Sequence, residues 1–327
     1  MTSSSSPRSA TGRPVVVNQV DAEVGASLRA HPAEPVVIDL YDAETPPWEL
    51  PEETEVLVTR PSIGWRKAPQ EAAALPAGLR WVQTLSAGVE IYPRWLMDGR
   101  AFTCGRGVAA GAIAEYVMAA LLDHAKGFRD LVVRDEASWK TRPEIGSLSG
   151  KTLGLLGYGA INQAIARRAQ GFEMTVLASR RGAWDASDTL AAPAASPEAL
   201  FAASDYLVVG MPLTDATRHM VNAALLAAAK PGLVLINVAR GEIVDQEALC
   251  AALEAGQLGR AVLDVTTPEP LPDGHPLYAQ AGVTITPHIS WVSPDFMAGF
   301  LQDLGSNLSA YMAGAPLMNL VDTDRGY

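Results

Sequence analysis

The sequence predicts an α/β protein made of two doubly wound parallel-sheet domains. Two series of short apolar runs, separated by alanine-rich stretches of helix length, point to it, and so does a length of 327 residues, which suits about two domains. Short continuous apolar runs are the mark of strands buried on both faces. Their alternation with helical stretches builds a doubly wound sheet.

The elements follow in order. Residues 1–12 read as a flexible tail with no apolar core of the signal-peptide kind. From about Arg13 the runs PVVV near Val15, VVIDL near Val37, VLVT near Leu57 and WVQT near Val82 form the first series. The pattern changes near Gly105. Residues 111–127, GAIAEYVMAALLDHAKG, make a long apolar helix that ends at a glycine, a normal C-terminal signal. A connector with Trp139 and Pro143 follows. The second series is TLGLLG, MTVLAS, YLVVG, LVLINV, AVLDV and VTIT, with helices expected over 161–170, 222–229 and 246–255. A last helix over 294–313 returns to the first domain. The expected partition is 1–105 plus 292–327 for one domain and 106–291 for the other.

Composition narrows the function. Hydrophobic residues make up 48% and charged residues 19%, enough apolar material for two cores. A formal net charge of -11 argues against nucleic acid or an anionic membrane as the main partner. It leaves room for a small anionic substrate held by local arginines. Cys104 and Cys250 form no disulfide framework and no zinc motif, and read as buried or incidental thiols. No apolar run reaches membrane-spanning length. A cytoplasmic location is expected.

The stretch TLGLLGYGAIN passes from an apolar strand through Gly157 and Gly159 into a helix. Gly157 permits the tight turn, Gly159 lets a pyrophosphate approach the backbone, and the helix N-terminus offers N–H donors. Where such motifs carry a third glycine, this chain has Asn162, so the helix is expected slightly farther from the sheet. The next strand ends in Ser179, Arg180 and Arg181, with no acid there to take a ribose hydroxyl. Two guanidiniums suit a 2′-phosphate instead. NADP(H) is the preferred cofactor, and NAD(H) stays open.

Between Asn237 and Ser290 the chain reads NVARGEIVD, AVLDVTTPEP and TPHIS. Arg240, Glu269 and His288 each closely follow a predicted parallel strand, at the carboxyl ends where open sheets bind ligands. A guanidinium can bind an anion and polarise a carbonyl. An imidazole can deliver a proton, and a carboxylate beside it favours imidazolium and fixes the ring. That set suits hydride transfer to a 2-oxo acid, with no metal needed and no metal-ligand cluster in the sequence. His31, His124, His219 and His275 lack such context and read as structural, and Glu115 reads as a helix brace.

LSAGVE, AIAEYVMAALL, LSGKTLGLLGYGAIN, MPLTDATRHMVN, KPGLVLINVARGEIVDQEAL, LDVTTPEP and TPHIS occur in this order. From about residue 55 onward the chain resembles the D-isomer-specific 2-hydroxyacid dehydrogenases, the group that includes glyoxylate/hydroxypyruvate reductases. The resemblance implies a Rossmann cofactor domain inserted into a flavodoxin-like substrate domain, and reduction of a small 2-oxo acid to a D-2-hydroxy acid. It implies that Arg240 binds the substrate carboxylate and carbonyl, that His288 is the acid/base, and that Glu269 pairs with it. Backbone amides at Ala87 and Gly88 match the loop that holds the substrate carboxylate. Gly157, Tyr158, Gly159, Ala160, Ile161 and Asn162 match the pyrophosphate loop, and Met211 and Pro212 the segment under the cofactor. Val238 and Asp264 lie where the family contacts the nicotinamide half. Trp291 matches an aromatic that touches the substrate side chain in the D-lactate dehydrogenase branch. The long helix and the connector around Trp139 resemble a dimerisation region, so a homodimer is expected. The competing functions are oxidation of a small anion such as phosphite or formate, and nucleotide sensing by a corepressor-like binding protein.

Overall fold

The computed structural model describes residues 12–41, 44–128, 130–140, 144–185 and 187–327. The expected tail before Gly12, and Pro143, lie outside the described residues. The chain divides into two compact units, Met1–Val108 with Ser293–Tyr327, and Ala109–Val292.

The first unit runs β1 (Val15–Asn18), α1 (Ala22–Arg29), β2 (Val36–Asp39), β3 (Val56–Thr59), α2 (Ile63–Arg66), β4 (Trp81–Thr84), α3 (Arg94–Met97) and β5 (Ala101–Thr103), and is completed by the chain's last helix, α11 (Phe296–Ala313). Its sheet is parallel throughout in the order β2-β1-β3-β4-β5, the flavodoxin-like arrangement. Neighbouring residues on a strand face opposite ways. Val17, Leu57 and Val82 therefore pack with Trp65 and Leu96 on one face. Val16, Val56 and Trp81 pack with Leu28 and with Phe300, Leu304 and Tyr311 of α11 on the other. Side-chain burial of this kind contributes about 1.5–3 kcal/mol per large apolar residue. The helix α11 begins at Phe296, two residues later than the sequence suggests, and closes at Gly314, whose φ of 64° makes a left-handed cap.

The second unit opens with α4 (Ala110–Lys126) and α5 (Glu136–Lys140). It continues with β6 (Thr152–Leu156), α6 (Ala160–Gln170), β7 (Thr175–Ser179), β8 (Ala192–Pro193), α7 (Pro197–Ala203) and β9 (Tyr206–Val209). The remaining elements are α8 (Ala223–Ala227), β10 (Leu233–Asn237), α9 (Gln246–Glu254), β11 (Leu258–Leu263), α10 (Pro276–Ala279) and β12 (Val283–Ile285). The sheet order is β12-β11-β10-β9-β6-β7-β8, all parallel. Counted from its own first strand, that is the doubly wound dinucleotide-binding order. Leu153, Leu155, Val208 and Ile236 pack beneath α4 and α6, and Leu207, Val209, Leu235 and Leu263 against the residues of α7, α8 and α9. Every apolar run of the second series becomes a strand. The long apolar helix ends at Gly127, whose φ is 57°. Glu115 Oε1 meets Arg168 Nη2 at 3.2 Å and braces α4 against α6. Among the described residues no helix is long and apolar enough to cross a membrane.

The strand order of the second unit reverses between β6 and β9, and this places the loops that follow both strands side by side. Gly157 after β6 has φ +89°, and a Cβ there would lie 2.9 Å from the carbonyl oxygen of Gly210 after β9. Only glycine satisfies both the angle and the close approach.

Candidate active site

Around Gly157 the geometry fits a dinucleotide. A Cβ at Gly159 would meet nothing within 4 Å, so the turn is open on that side, as close approach of a pyrophosphate would require. Ala160 and Ile161 start α6, whose first N–H groups have no intrahelical acceptor. Asn162 is fully buried, and its Nδ2 donates to Gly157 O at 2.7 Å. The space for its side chain comes from Gly210, where a Cβ would sit 2.6 Å from the Asn162 amide. A glycine on the facing loop thus makes room for the departure at Asn162. Ser179 ends β7, and Arg180 and Arg181 beyond it are exposed. Met211 and Pro212 follow Gly210, with Met211 half-buried and Pro212 exposed, and Val238 is buried just past β10.

The catalytic candidates sit on three successive loops. Arg240 follows β10 in a turn stapled by the buried Asn237, whose Nδ2 donates to Arg240 O at 2.9 Å and whose Oδ1 accepts from Ala239 N at 3.1 Å. Arg240 Nη1 donates to Ala239 O at 2.7 Å. A Cβ at Gly241 would lie 2.1 Å from Thr266, so the Arg240 turn packs directly on the loop that leads to Glu269. Gln246 brackets that loop: Nε2 donates to Thr267 O at 2.5 Å and Oε1 accepts from Thr267 N at 2.9 Å.

Glu269 Oε2 lies 3.1 Å from His288 Nδ1, and its Oε1 accepts from Thr266 N at 3.2 Å. Burial works to raise the Glu269 pKa. The hydrogen bond and charge of His288, the Thr266 amide and the Arg240 guanidinium outweigh it and hold the carboxyl below the ordinary glutamate range.

His288 has φ +50°, a left-handed conformation that costs a non-glycine residue energy. Asp264, almost wholly buried, offsets that cost. Its carboxylate accepts from Thr286 Oγ1 at 2.6 Å, Ile289 N at 2.9 Å and Ser290 N at 3.0 Å, and its carbonyl from His288 N at 2.9 Å. Tyr116 of α4 extends the chain, its hydroxyl 2.7 Å from Thr286 Oγ1. The Trp291 indole donates to His288 O at 2.9 Å, which holds this half-exposed ring beside the histidine loop.

Ala87 and Gly88 lie in the first unit, just past β4. Tyr92 and Thr84 share a 2.6 Å hydroxyl contact, and Ser86 Oγ donates to Gly88 O at 2.6 Å, which fixes the loop. The Ala87 and Gly88 amides make no hydrogen bond among the described residues. Reasoning from the sequence missed Asn237, Gln246 and Tyr116. Only the buried amide in NVARG, a polar residue ending an apolar strand, left a signal.

A family model described as D-isomer specific 2-hydroxyacid dehydrogenase, NAD binding domain, matches residues 116–290. Glyoxylate reductase of Thermococcus litoralis is 35% identical over 230 residues, covering 67% of this chain and 69% of the relative. Glyoxylate/hydroxypyruvate reductase B of Yersinia pestis is 35% identical over 233 residues, covering 68% of this chain and 71% of that one. A solved D-isomer specific 2-hydroxyacid dehydrogenase from Xanthobacter autotrophicus Py2, in complex with NADPH and MES, matches with a TM-score of 0.80 at 28% identity, over 96% of this chain and 100% of that one. The chain belongs to the D-isomer-specific 2-hydroxyacid dehydrogenases and is an NAD(P)-dependent oxidoreductase of the 2-hydroxyacid dehydrogenase/glyoxylate reductase type.

Proposed function

We propose that the enzyme reduces a small monocarboxylic 2-oxo acid to the D-2-hydroxy acid, with His288 as proton donor and NADPH as the preferred reductant. The 3.1 Å contact between His288 Nδ1 and Glu269 Oε2 carries this reading. An ionised carboxylate only accepts, so Nδ1 bears hydrogen and Nε2 is the nitrogen that delivers a proton to the substrate carbonyl oxygen. Arg240 pairs with the substrate carboxylate and stabilises charge growing on that oxygen. In the first unit the amides of Ala87 and Gly88, which make no hydrogen bond among the described residues, suit a carboxylate. Residues Gly157 to Asn162 would hold the pyrophosphate, with Met211, Pro212, Val238 and Asp264 assigned to the rest of the cofactor. When bound, the reduced nicotinamide supplies the hydride. Arg180 and Arg181 favour a 2′-phosphate, and a relative solved with NADPH supports that choice.

Steady-state rates with glyoxylate, hydroxypyruvate, pyruvate, oxaloacetate and 2-oxoglutarate, each with NADPH and NADH, test the reading. Monocarboxylates should outperform dicarboxylates, because an aromatic wall at Trp291 gives no charge complement to a second acid. Trp291→Ala should then reorder the monocarboxylates rather than slow all of them equally. NADPH should lead by at least about tenfold in kcat/KM. A dicarboxylate preference would overturn the pocket assignment, and turnover of phosphite or formate alone would overturn the reaction. We also propose a homodimer through the long helix α4 and the connector around Trp139, where Phe128 is 71% and Trp139 69% exposed. Light scattering at twice the chain mass would support it, and a monomer mass would remove it.

A further inference from the structure

Beyond β7 the chain makes an excursion through Arg180, Arg181 and Trp184 before it returns as β8 at Ala192. Both arginines are exposed. Gln170 Nε2 at the end of α6 donates to Thr189 O at 3.2 Å and ties down the far side of the excursion. The near side, which carries the arginines, is fastened differently. Trp184 stacks on Tyr158, the residue between the two loop glycines, with ring centroids 5.0 Å apart and planes 19° from parallel. Tyr158 is 6% exposed, with the Asp188 carboxylate of the same excursion beside its hydroxyl. Trp184 covers the ring. The Arg180 guanidinium folds over Gly182, where a Cβ would lie 3.5 Å from Nη2, so the arginine and the indole belong to one short turn.

We propose that Trp184 is a positioning residue for cofactor selectivity: by stacking on Tyr158 it locks the Arg180–Arg181 turn to the glycine loop and sets the guanidiniums where a 2′-phosphate falls. This rests on the NADP(H) reading. The physics favours such a clamp. An exposed arginine retains much rotamer freedom, and ordering it on a ligand costs entropy. A turn already fixed to the pyrophosphate loop removes the backbone share of that cost. The electrostatics agree: burial and the nearby Asp188 carboxylate keep the Tyr158 hydroxyl protonated well above the ordinary tyrosine range, so the stacked ring stays neutral beside Arg180 and Arg167.

Calorimetric titration of the full chain with adenosine 2′,5′-bisphosphate and with AMP isolates the 2′-phosphate without turnover. The wild type should bind the bisphosphate at least tenfold more tightly than AMP. Trp184→Ala should cut that advantage to threefold or less, mainly by weakening the bisphosphate. Trp184→Phe, which keeps an aromatic face, should restore most of it. Trp184→Leu, which fills the space without a π face, should behave like Trp184→Ala and serves if the alanine variant does not fold. An undiminished advantage in Trp184→Ala or Trp184→Leu overturns the clamp and leaves the arginine assignment standing. A wild type that binds both nucleotides alike overturns the arginine assignment and the clamp with it.

Discussion

The loops that carry Arg240, Glu269 and His288 are pinned by buried and half-buried polar side chains, whereas the near side of the turn that carries Arg180 and Arg181 packs through an aromatic stack. Asn237, Gln246 and Asp264 together make seven side-chain hydrogen bonds to the catalytic loops. Each such bond is worth about 0.5–1.5 kcal/mol net, and a buried partner left unsatisfied costs about 1–3 kcal/mol. An aromatic pair contributes about 0.5–1.5 kcal/mol beyond its area. The loops of the proposed catalytic residues are thus held mainly by hydrogen bonds, and the Arg180–Arg181 turn by the Trp184 stack and the Gln170 tie. Proton transfer tolerates little misplacement, while a choice between two nucleotides needs only a modest difference in affinity. On the proposed reading, the fold places rigidity where the chemistry requires it and leaves selectivity on a segment that a single substitution should retune.

The largest effect should come from breaking the rigid side at its reacting atom. His288→Ala should lower kcat by about 10²–10⁴, the usual scale for loss of a general acid. It should leave adenosine 2′,5′-bisphosphate affinity unchanged, because nothing on the nucleotide side depends on that ring. Wild-type turnover in this variant would remove His288 from the reaction. Arg180→Asp tests the other side and should have a smaller effect. The carboxylate repels a 2′-phosphate and offers an acceptor to a ribose hydroxyl, so the NADPH preference should fall by about tenfold or more. The maximal rate at saturating cofactor should move far less. If kcat collapsed while the cofactor ratio held, the division of labour drawn between the two loops would be wrong.

Much of this was legible in the sequence because buried parallel strands must be continuous apolar runs. TLGLLG, MTVLAS, YLVVG, LVLINV, AVLDV and VTIT all became strands of one sheet, and VVIDL, VLVT and WVQT of the other. The strands β5 and β8 escaped notice, being three and two residues long, with Pro193 in the second. Arg240, Glu269 and His288 were legible because each follows its strand closely, and the Glu269–His288 contact was expected from the resemblance. What holds these residues was not legible. Tyr116 reaches Thr286 across 170 positions of sequence, and Asp264 reaches Ser290 across 26. Such pairings depend on which strands lie adjacent, and hydrophobic period says nothing of that. Asp264 reads from the sequence only as a neighbour of the nicotinamide, and that its carboxylate also accepts three hydrogen bonds from the histidine loop was not legible. Gly210, which makes room for the Asn162 amide, was not legible either, because it lies 48 residues away on a different loop.

The smallest effect is a displacement along the pH axis, and it probes the link between the rigid loops. Glu269 sits in a half-buried site that would by itself raise its pKa, yet His288, the Thr266 amide and Arg240 hold it below the ordinary glutamate range. The carboxylate therefore stays ionised as pH falls through about 4.3, the usual glutamate value, and loses its charge only below it. Across the neutral range it remains a full negative charge on His288 Nδ1. Glu269→Gln keeps the shape and a hydrogen-bonding oxygen but removes that charge. The protonated ring then loses its ionic partner, so reduction should fail at lower pH than in the wild type. Oxidation of the hydroxy acid needs the neutral ring and should gain activity over the same interval. Measuring kcat/KM against pH in both directions separates this from general damage, which would lower both profiles without displacing either. Profiles that keep their midpoints in Glu269→Gln would show that Glu269 orients the ring without tuning its charge.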